Sequence, residues 1–139
     1  MRSISIKGVV LGSLLVIALD LIFGVVMMFS MAQPVLQTGM TRADASLALA
    51  DIAKGSQFLI GSVIFGTLTT VVGGYVAARI AKRLPYLNSA ATGVVGLIFT
   101  ALYASSEYPM WFNIVGLLVV IPASLLGGHL AKSYSGTRA

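Results

Sequence analysis

The chain has 139 residues, of which 58% are hydrophobic and 9% are charged, and its formal net charge is +5. Soluble domains carry roughly 25% charged residues, so these few charges exclude a fully water-exposed surface and favour lipid as the solvent. The absence of cysteine excludes disulfides and thiolate metal sites, and a single histidine argues against a histidine-rich one. We expect no metal site, no cofactor and no nucleic-acid partner.

Four apolar segments follow one another, each close to the ~20 residues that cross a bilayer. They predict helices at about 5–31, 57–81, 87–104 and 110–131. Each must be helical, because every backbone N–H and C=O in hydrocarbon needs an internal partner. The pattern therefore predicts an all-α fold, a polytopic membrane four-helix bundle that forms a single transmembrane domain over residues 1–139.

The first apolar segment has a second interpretation, a cleaved signal peptide. Arg2 and Lys7 precede it, and Ser30–Ala32 loosely resembles a small-residue cleavage site. We favour an intact helix, because the apolar run is about twice the usual length for a signal peptide and contains Asp20.

The cations predict the orientation of the bundle. Cytoplasmic loops of membrane proteins are rich in lysine and arginine. Cations precede the first helix, separate the second from the third, and follow the fourth: Arg2, Lys7, Arg79, Lys82, Arg83, Lys132 and Arg138. Both termini should therefore be cytoplasmic, and Arg79, Lys82 and Arg83 should fix the topology and contact anionic lipid head groups.

The outer loop, 32–56, contains a candidate fifth helix. Residues 41–44 read Thr-Arg-Ala-Asp, which resembles a capping box with aspartate in place of glutamate. We predict a short extracytoplasmic helix over 43–54, with Gly55 as its stop. The alternative is an outward extension of the second membrane helix.

A faint internal repeat links the second and fourth membrane helices. Both end in two apolar residues, Gly-Gly, a ring, an aliphatic residue, an alanine and a nearby cation, at 71–79 and at 125–132. The first and third helices share Gly-Val-Val, at Gly8 and Gly93. The pattern indicates a duplicated helical hairpin, and coincidence among Gly-rich helices is the alternative.

Small residues recur at helical spacing on every membrane helix. Interfaces between helices in lipid favour such residues because they allow close backbone approach. The glycines that we predict at helix contacts are Gly12, Gly24, Gly66, Gly73, Gly93, Gly96 and Gly127. Packing within one bundle is the simpler interpretation, and contact with a partner subunit is the alternative.

Asp20, near the centre of the first helix, is the best candidate for chemistry. An acid there costs about 2.5–3.5 kcal/mol on insertion scales and usually faces the bundle interior. Thr70, Thr100 and Ser124 are predicted at comparable depth, together with Thr67 and Thr69. Three roles remain open for the carboxyl: a hydrogen bond that locks helix register, proton or cation binding, and a salt bridge to another subunit.

The run Gly-Gly-Tyr-Val-Ala-Ala-Arg-Ile-Ala-Lys-Arg at 73–83, followed by Pro85, resembles a motif of small uncharacterised four-helix bacterial inner-membrane proteins. The resemblance covers about a tenth of the chain. It implies a multi-pass protein of the bacterial inner (cytoplasmic) membrane, and it assigns no activity and no catalytic residue.

The sequence contains no nucleophile beside a base, no paired carboxylates and no phosphate-binding loop. We therefore expect a non-enzymatic protein that works by helix–helix association, as a homo-oligomer or as an accessory subunit of a membrane complex. Its partners would be the lipid bilayer and either a second copy of itself or another membrane protein. The alternative is a small proton- or cation-coupled transporter or channel that uses Asp20.

Overall fold

The computed structural model describes residues 4–36 and 39–136, without the side chains of the last two; Arg2 and Arg138 lie outside the described residues. The described part folds into five α-helices. Their bounds are α1 Ile6–Ala32, α2 Arg42–Lys54, α3 Ser56–Ala81, α4 Pro85–Tyr103 and α5 Met110–Gly136. Four of them, α1, α3, α4 and α5, are long and apolar enough to cross a membrane, which is the architecture of a multi-pass helical protein.

The short helix predicted in the outer loop is a separate element. The Thr41 hydroxyl accepts a hydrogen bond from the Asp44 N–H at 3.2 Å and donates one to the Asp44 carboxylate at 2.7 Å. This pairing satisfies one of the free N–H groups at the start of α2. Gly55 adopts an extended conformation between α2 and α3, so α2 does not continue into α3.

The turn between α3 and α4 is tight and conformationally restricted. Lys82 and Leu84 both adopt the left-handed region, with φ of 56° and 50°. Bulky residues seldom adopt this region, because Cβ crowds the neighbouring carbonyl. Pro85 occupies the first turn of α4, where its missing N–H is not needed. The turn brings α4 back antiparallel against α3.

Helix α3 lies at the centre of the bundle. It packs against α1, α4 and α5, while α4 and α5 also pack against each other. Helix α1 lies at an edge, where it contacts mainly α3 and, less extensively, α4 and α2. In the 18-residue apolar stretch of α1, 6% of the residues are buried, against 22–28% in the corresponding stretches of the other three membrane helices.

One glycine of each Gly-Gly pair of the predicted repeat lies where α3 crosses α5, while Gly73 packs on α1 and Gly128 packs on α4. Gly74 packs on the backbone of Ser124, and Gly127 packs on the Val71 carbonyl and on the Tyr75 N–H. A methyl group on either glycine would collide with the opposing backbone. Gly74 and Gly127 therefore allow the close approach of the two helices.

The helix ends and connections of the described residues lie at two ends of the bundle. At one end, which we call the basic end, the start of α1, the α3–α4 turn and the end of α5 lie together. This end carries Lys7, Arg79, Lys82, Arg83 and Lys132. At the other end, which we call the α2 end, Lys54 forms an ion pair of 3.1 Å with Glu107 of the α4–α5 connection. Both side chains of that pair are exposed, so it contributes little to stability.

Candidate functional site

Asp20 is held against α3 by one hydrogen bond. The Thr69 hydroxyl, which is 3% exposed, donates to the Asp20 carboxylate at 2.6 Å. That is the one hydrogen bond of this side chain within the described residues, and Asp20 itself is exposed. The carboxylate therefore retains acceptor capacity for a further group.

Beside Asp20 lies a cavity of about 540 Å³ between α1, α3, α4 and α5. Most of its wall is apolar, and three aromatic side chains, Phe99, Tyr103 and Phe112, belong to it. Asp20 is the one charged residue on this wall. The other small polar residues of the wall are Ser13, Ser62, Thr67, Thr70, Thr92, Thr100 and Asn113. The arrangement is typical of a small-molecule site, with an apolar pocket and a few polar groups.

Most hydroxyls of the wall already donate their proton to their own helix. Those of Ser62, Thr67, Thr70, Thr92 and Thr100 each donate to the carbonyl four residues earlier, at 2.6–3.1 Å. Such local bonds are usual for serine and threonine inside helices. These oxygens can therefore only accept a hydrogen bond from a ligand, as a carboxylate does.

Ser13 differs from the other hydroxyls of the wall. Its oxygen is buried and has no hydrogen-bond partner in the described part of the chain. Buried polar groups normally have a partner. This hydroxyl is therefore a free polar group at the wall of the cavity.

The structure brings together part of the predicted site. Asp20, Thr70 and Thr100 share the cavity. Ser124 does not line it: this side chain is fully buried, packs on Gly93 of α4 and donates to the Ile121 carbonyl at 2.9 Å. The carboxylate is bound by Thr69 and not by Thr70, because one residue of helix rotates a side chain by about 100°.

Five of the seven predicted packing glycines lie at contacts between helices. A Cβ on Gly12 would lie 2.6 Å from the Gly73 carbonyl oxygen, and one on Gly96 would lie 3.1 Å from Val120. The close contacts are those of Gly12, Gly73, Gly93, Gly96 and Gly127.

The other two predicted packing glycines have open space at the Cβ position. Nothing lies within 4 Å of a Cβ on Gly24 or on Gly66. Gly66 borders the cavity, which separates it from neighbouring helices. Gly24 lies near the α2 end of α1, the helix at the edge of the bundle. Neither glycine therefore marks a close helix contact within this chain.

The basic residues lie near the surface of the basic end. Lys82 and Arg83 are exposed in the α3–α4 turn, and the Arg79 guanidinium lies 5.8 Å from the centre of the Tyr75 ring. Nearby, the Tyr86 hydroxyl is 3.0 Å from Nδ1 of His129, and Lys132 lies 5.4 Å from the Tyr86 ring centre. These contacts connect the beginning of α4 to the end of α5.

Asn88 is a polar residue that sequence reasoning missed. It is fully buried, and its side-chain oxygen accepts from the Ser5 N–H at 2.7 Å. Its side-chain nitrogen donates to the carbonyls of Arg83 and Leu84, both at 3.0 Å. One amide therefore connects the start of α1 to the α3–α4 turn. The sequence signal that could have identified it is an asparagine near the start of a membrane helix, where a buried amide needs hydrogen-bond partners.

The fold and the cavity define a class: a multi-pass helical membrane protein with one carboxylate at a cavity between its helices. Comparison with protein-family models, with curated proteins and with solved structures found no match to this chain.

Proposed function

We propose that this chain is a non-enzymatic membrane protein that works by association of its helices, as a homo-oligomer or as an accessory subunit of a membrane complex. The observation that carries the proposal is the position of α1. This helix lies at the edge of the bundle, and only 6% of the residues in its 18-residue apolar stretch are buried. It also carries an exposed carboxylate, Asp20, within that stretch.

Asp20 distinguishes α1 from a helix that simply faces lipid. An acid at the centre of a span costs about 2.5–3.5 kcal/mol, and one hydrogen bond from Thr69 offsets only part of that cost. A polar or cationic group from a neighbouring chain beside α1 would offset more of it. Covering α1 with a second chain therefore stabilises the protein in the bilayer.

Cysteine cross-linking tests the association, because the chain has no native cysteine. Val25 on α1 and Leu118 on α5 are 70% and 68% exposed, and each lies about two turns from the α2 end. Under mild oxidation in membranes, we expect Val25→Cys to form a cross-linked dimer or to trap a partner. The matched control Leu118→Cys should remain monomeric. Equal cross-linking of both variants, or of neither, would contradict the proposal.

The cavity favours a second candidate function, proton- or cation-coupled transport through Asp20. The carboxylate borders a cavity whose remaining hydroxyls mostly act as acceptors, and such a wall stabilises positive charge. In this case Asp20→Asn should abolish ion flux into proteoliposomes while the helical content is unchanged. Flux that persists in the variant would exclude this candidate.

The location in the cell follows from the charges and from the resemblance of residues 73–83. We place the protein in the inner membrane of a bacterium, with the basic end and both termini in the cytoplasm and α2 outside. Five cations at the basic end support this orientation. We also propose that the α1–α3 and α4–α5 hairpins arose by duplication, and the Gly-Gly sequence shared by α3 and α5 supports this origin.

A further inference from the structure

A proton or a metal ion bound at Asp20 would fill only a small part of the cavity. A volume of about 540 Å³ lies within the range of roughly 300–1,000 Å³ that is usual for drug-sized ligands. A metal ion such as Ca²⁺ takes about six to eight oxygen ligands, and Asp20 is the one carboxylate on this wall. A bound inorganic ion would leave most of the apolar wall without contacts.

The wall also selects the sign of the ligand's charge. Asp20 is acidic, and the hydroxyls of Thr70, Thr92 and Thr100 donate to their own helices and leave only acceptor oxygens. The faces of Phe99 and Phe112 carry negative charge density and attract cations. An anion would meet the Asp20 carboxylate and, apart from the free Ser13 hydroxyl, mostly acceptor oxygens, so the cavity disfavours it.

From the volume, the apolar wall and the single carboxylate, we propose that this cavity binds a lipophilic organic cation. The charged centre lies beside Asp20, and the apolar body fills the space between α1, α4 and α5. The cavity is lined by helices of one chain, so binding does not require a second chain, although both proposals use the carboxylate of Asp20. An acyl chain or a helix of a second copy would fill the same space without needing the carboxylate.

The test uses two ions of similar size and shape and of opposite charge, tetraphenylphosphonium and tetraphenylborate. The chain has one tryptophan, Trp111, and its ring centre lies 5.9 Å from that of Phe112 on the wall. Each ion is titrated into the full chain in nanodiscs while Trp111 fluorescence is recorded, and empty nanodiscs give the partition into lipid. For each ion, the affinity of the wild type is compared with that of each variant. The partition of the ion into lipid is the same in both and therefore cancels.

Three variants separate charge from shape. Asp20→Asn keeps the size of the side chain and an oxygen that accepts from Thr69, but removes the charge. Gly66→Leu fills the cavity, and its Cβ has open space. Asp51→Asn removes an exposed acid of α2, outside the cavity. All three are checked for helical content and for a single elution peak before titration.

We expect saturable binding of tetraphenylphosphonium that Asp20→Asn weakens at least tenfold, while tetraphenylborate is not weakened. Gly66→Leu should abolish binding of the phosphonium, and Asp51→Asn should leave it unchanged. Equal weakening of both ions, an affinity that Asp20→Asn does not change, or binding that survives Gly66→Leu would overturn the proposal. So would the absence of a saturable signal in the wild type, the result expected if a second chain or a lipid occupies the cavity. Cross-linking of Val25→Cys is measured separately, so failure of one proposal does not imply failure of the other.

Discussion

At the residue scale, the side chain of Asn88 makes three hydrogen bonds to backbone groups. It is fully buried and connects the Ser5 N–H with the carbonyls of Arg83 and Leu84. Of the two left-handed residues of the α3–α4 turn, Leu84 carries one of these carbonyls and Lys82 precedes the residue that carries the other. The amide therefore holds in place a turn whose backbone is intrinsically unfavourable.

We predict that Asn88→Ala lowers the free energy of unfolding by about 1–3 kcal/mol, because it leaves buried backbone groups without partners. The matched control is Asn113→Ala, since that amide donates one hydrogen bond, to the Ser105 carbonyl at 2.9 Å, and should cost less. Denaturation in detergent, followed by circular dichroism, measures both. A loss for Asn113→Ala equal to that for Asn88→Ala would contradict the assigned role of Asn88.

The sequence predicts the residue types of the candidate site better than their contacts. Asp20 is identifiable because an acid among apolar residues is costly in lipid. Which threonine binds it depends on helix rotation, and hydropathy cannot distinguish Thr69 from Thr70. Ser124 has a similar depth but another face, so depth alone placed it wrongly beside Asp20.

At the element scale, the glycines of α1 provide a matched pair. Gly12 and Gly24 are in the same helix, but a Cβ on Gly12 would meet the Gly73 carbonyl oxygen at 2.6 Å and the Ala77 Cβ at 3.0 Å. A Cβ on Gly24 meets nothing within 4 Å. The two positions therefore separate the effect of helix contact from that of helix propensity.

We expect Gly12→Ala to destabilise the bundle by about 1–3 kcal/mol, the usual cost of overpacking, because α1 must move away from α3. Gly24→Ala should leave the stability of the monomer unchanged or slightly increase it, since alanine favours helix more than glycine does. Thermal unfolding in mild detergent measures both variants. If Gly24→Ala is the more destabilising change, the packing of α1 on α3 is not as described.

The sequence predicted which segments are helical better than it predicted where each helix begins and ends. The four long apolar runs predicted α1, α3, α4 and α5, and the resemblance to a capping box predicted α2. Helix α4 begins at Pro85 and not at about 87, since proline is well suited to a first turn. Helix α5 continues to Gly136, beyond the predicted end near 131, because polar residues after an apolar run can extend a helix into water.

At the scale of the whole molecule, the pairing of helices accounts for the cavity. Glycines bring α3 close to both α1 and α5, and they bring α4 close to α5. Toward the α2 end, the larger residues Phe99, Tyr103 and Phe112 line the cavity. The cavity lies where close packing ends. Composition alone could not locate it, because its position depends on which glycines face each other.

The charges of the two ends predict an orientation, and this prediction can be tested with the whole protein. The basic end carries Lys7, Arg79, Lys82, Arg83 and Lys132, whereas the three acids outside the membrane helices, Asp44, Asp51 and Glu107, lie toward the α2 end. Cationic loops remain in the cytoplasm during insertion. Because the chain lacks cysteine, single serine-to-cysteine variants can report the side of each end.

Ser46 in α2 and Ser133 near the end of α5 are both exposed, so their cysteine variants form a matched pair. In intact cells, a membrane-impermeant maleimide should label Ser46→Cys at once, and Ser133→Cys only after the membrane is permeabilised. Labelling of both before permeabilisation would mean that the ends do not lie on opposite sides. Labelling of Ser133→Cys alone would invert the orientation, and the cations would then lie outside the cell against the positive-inside rule.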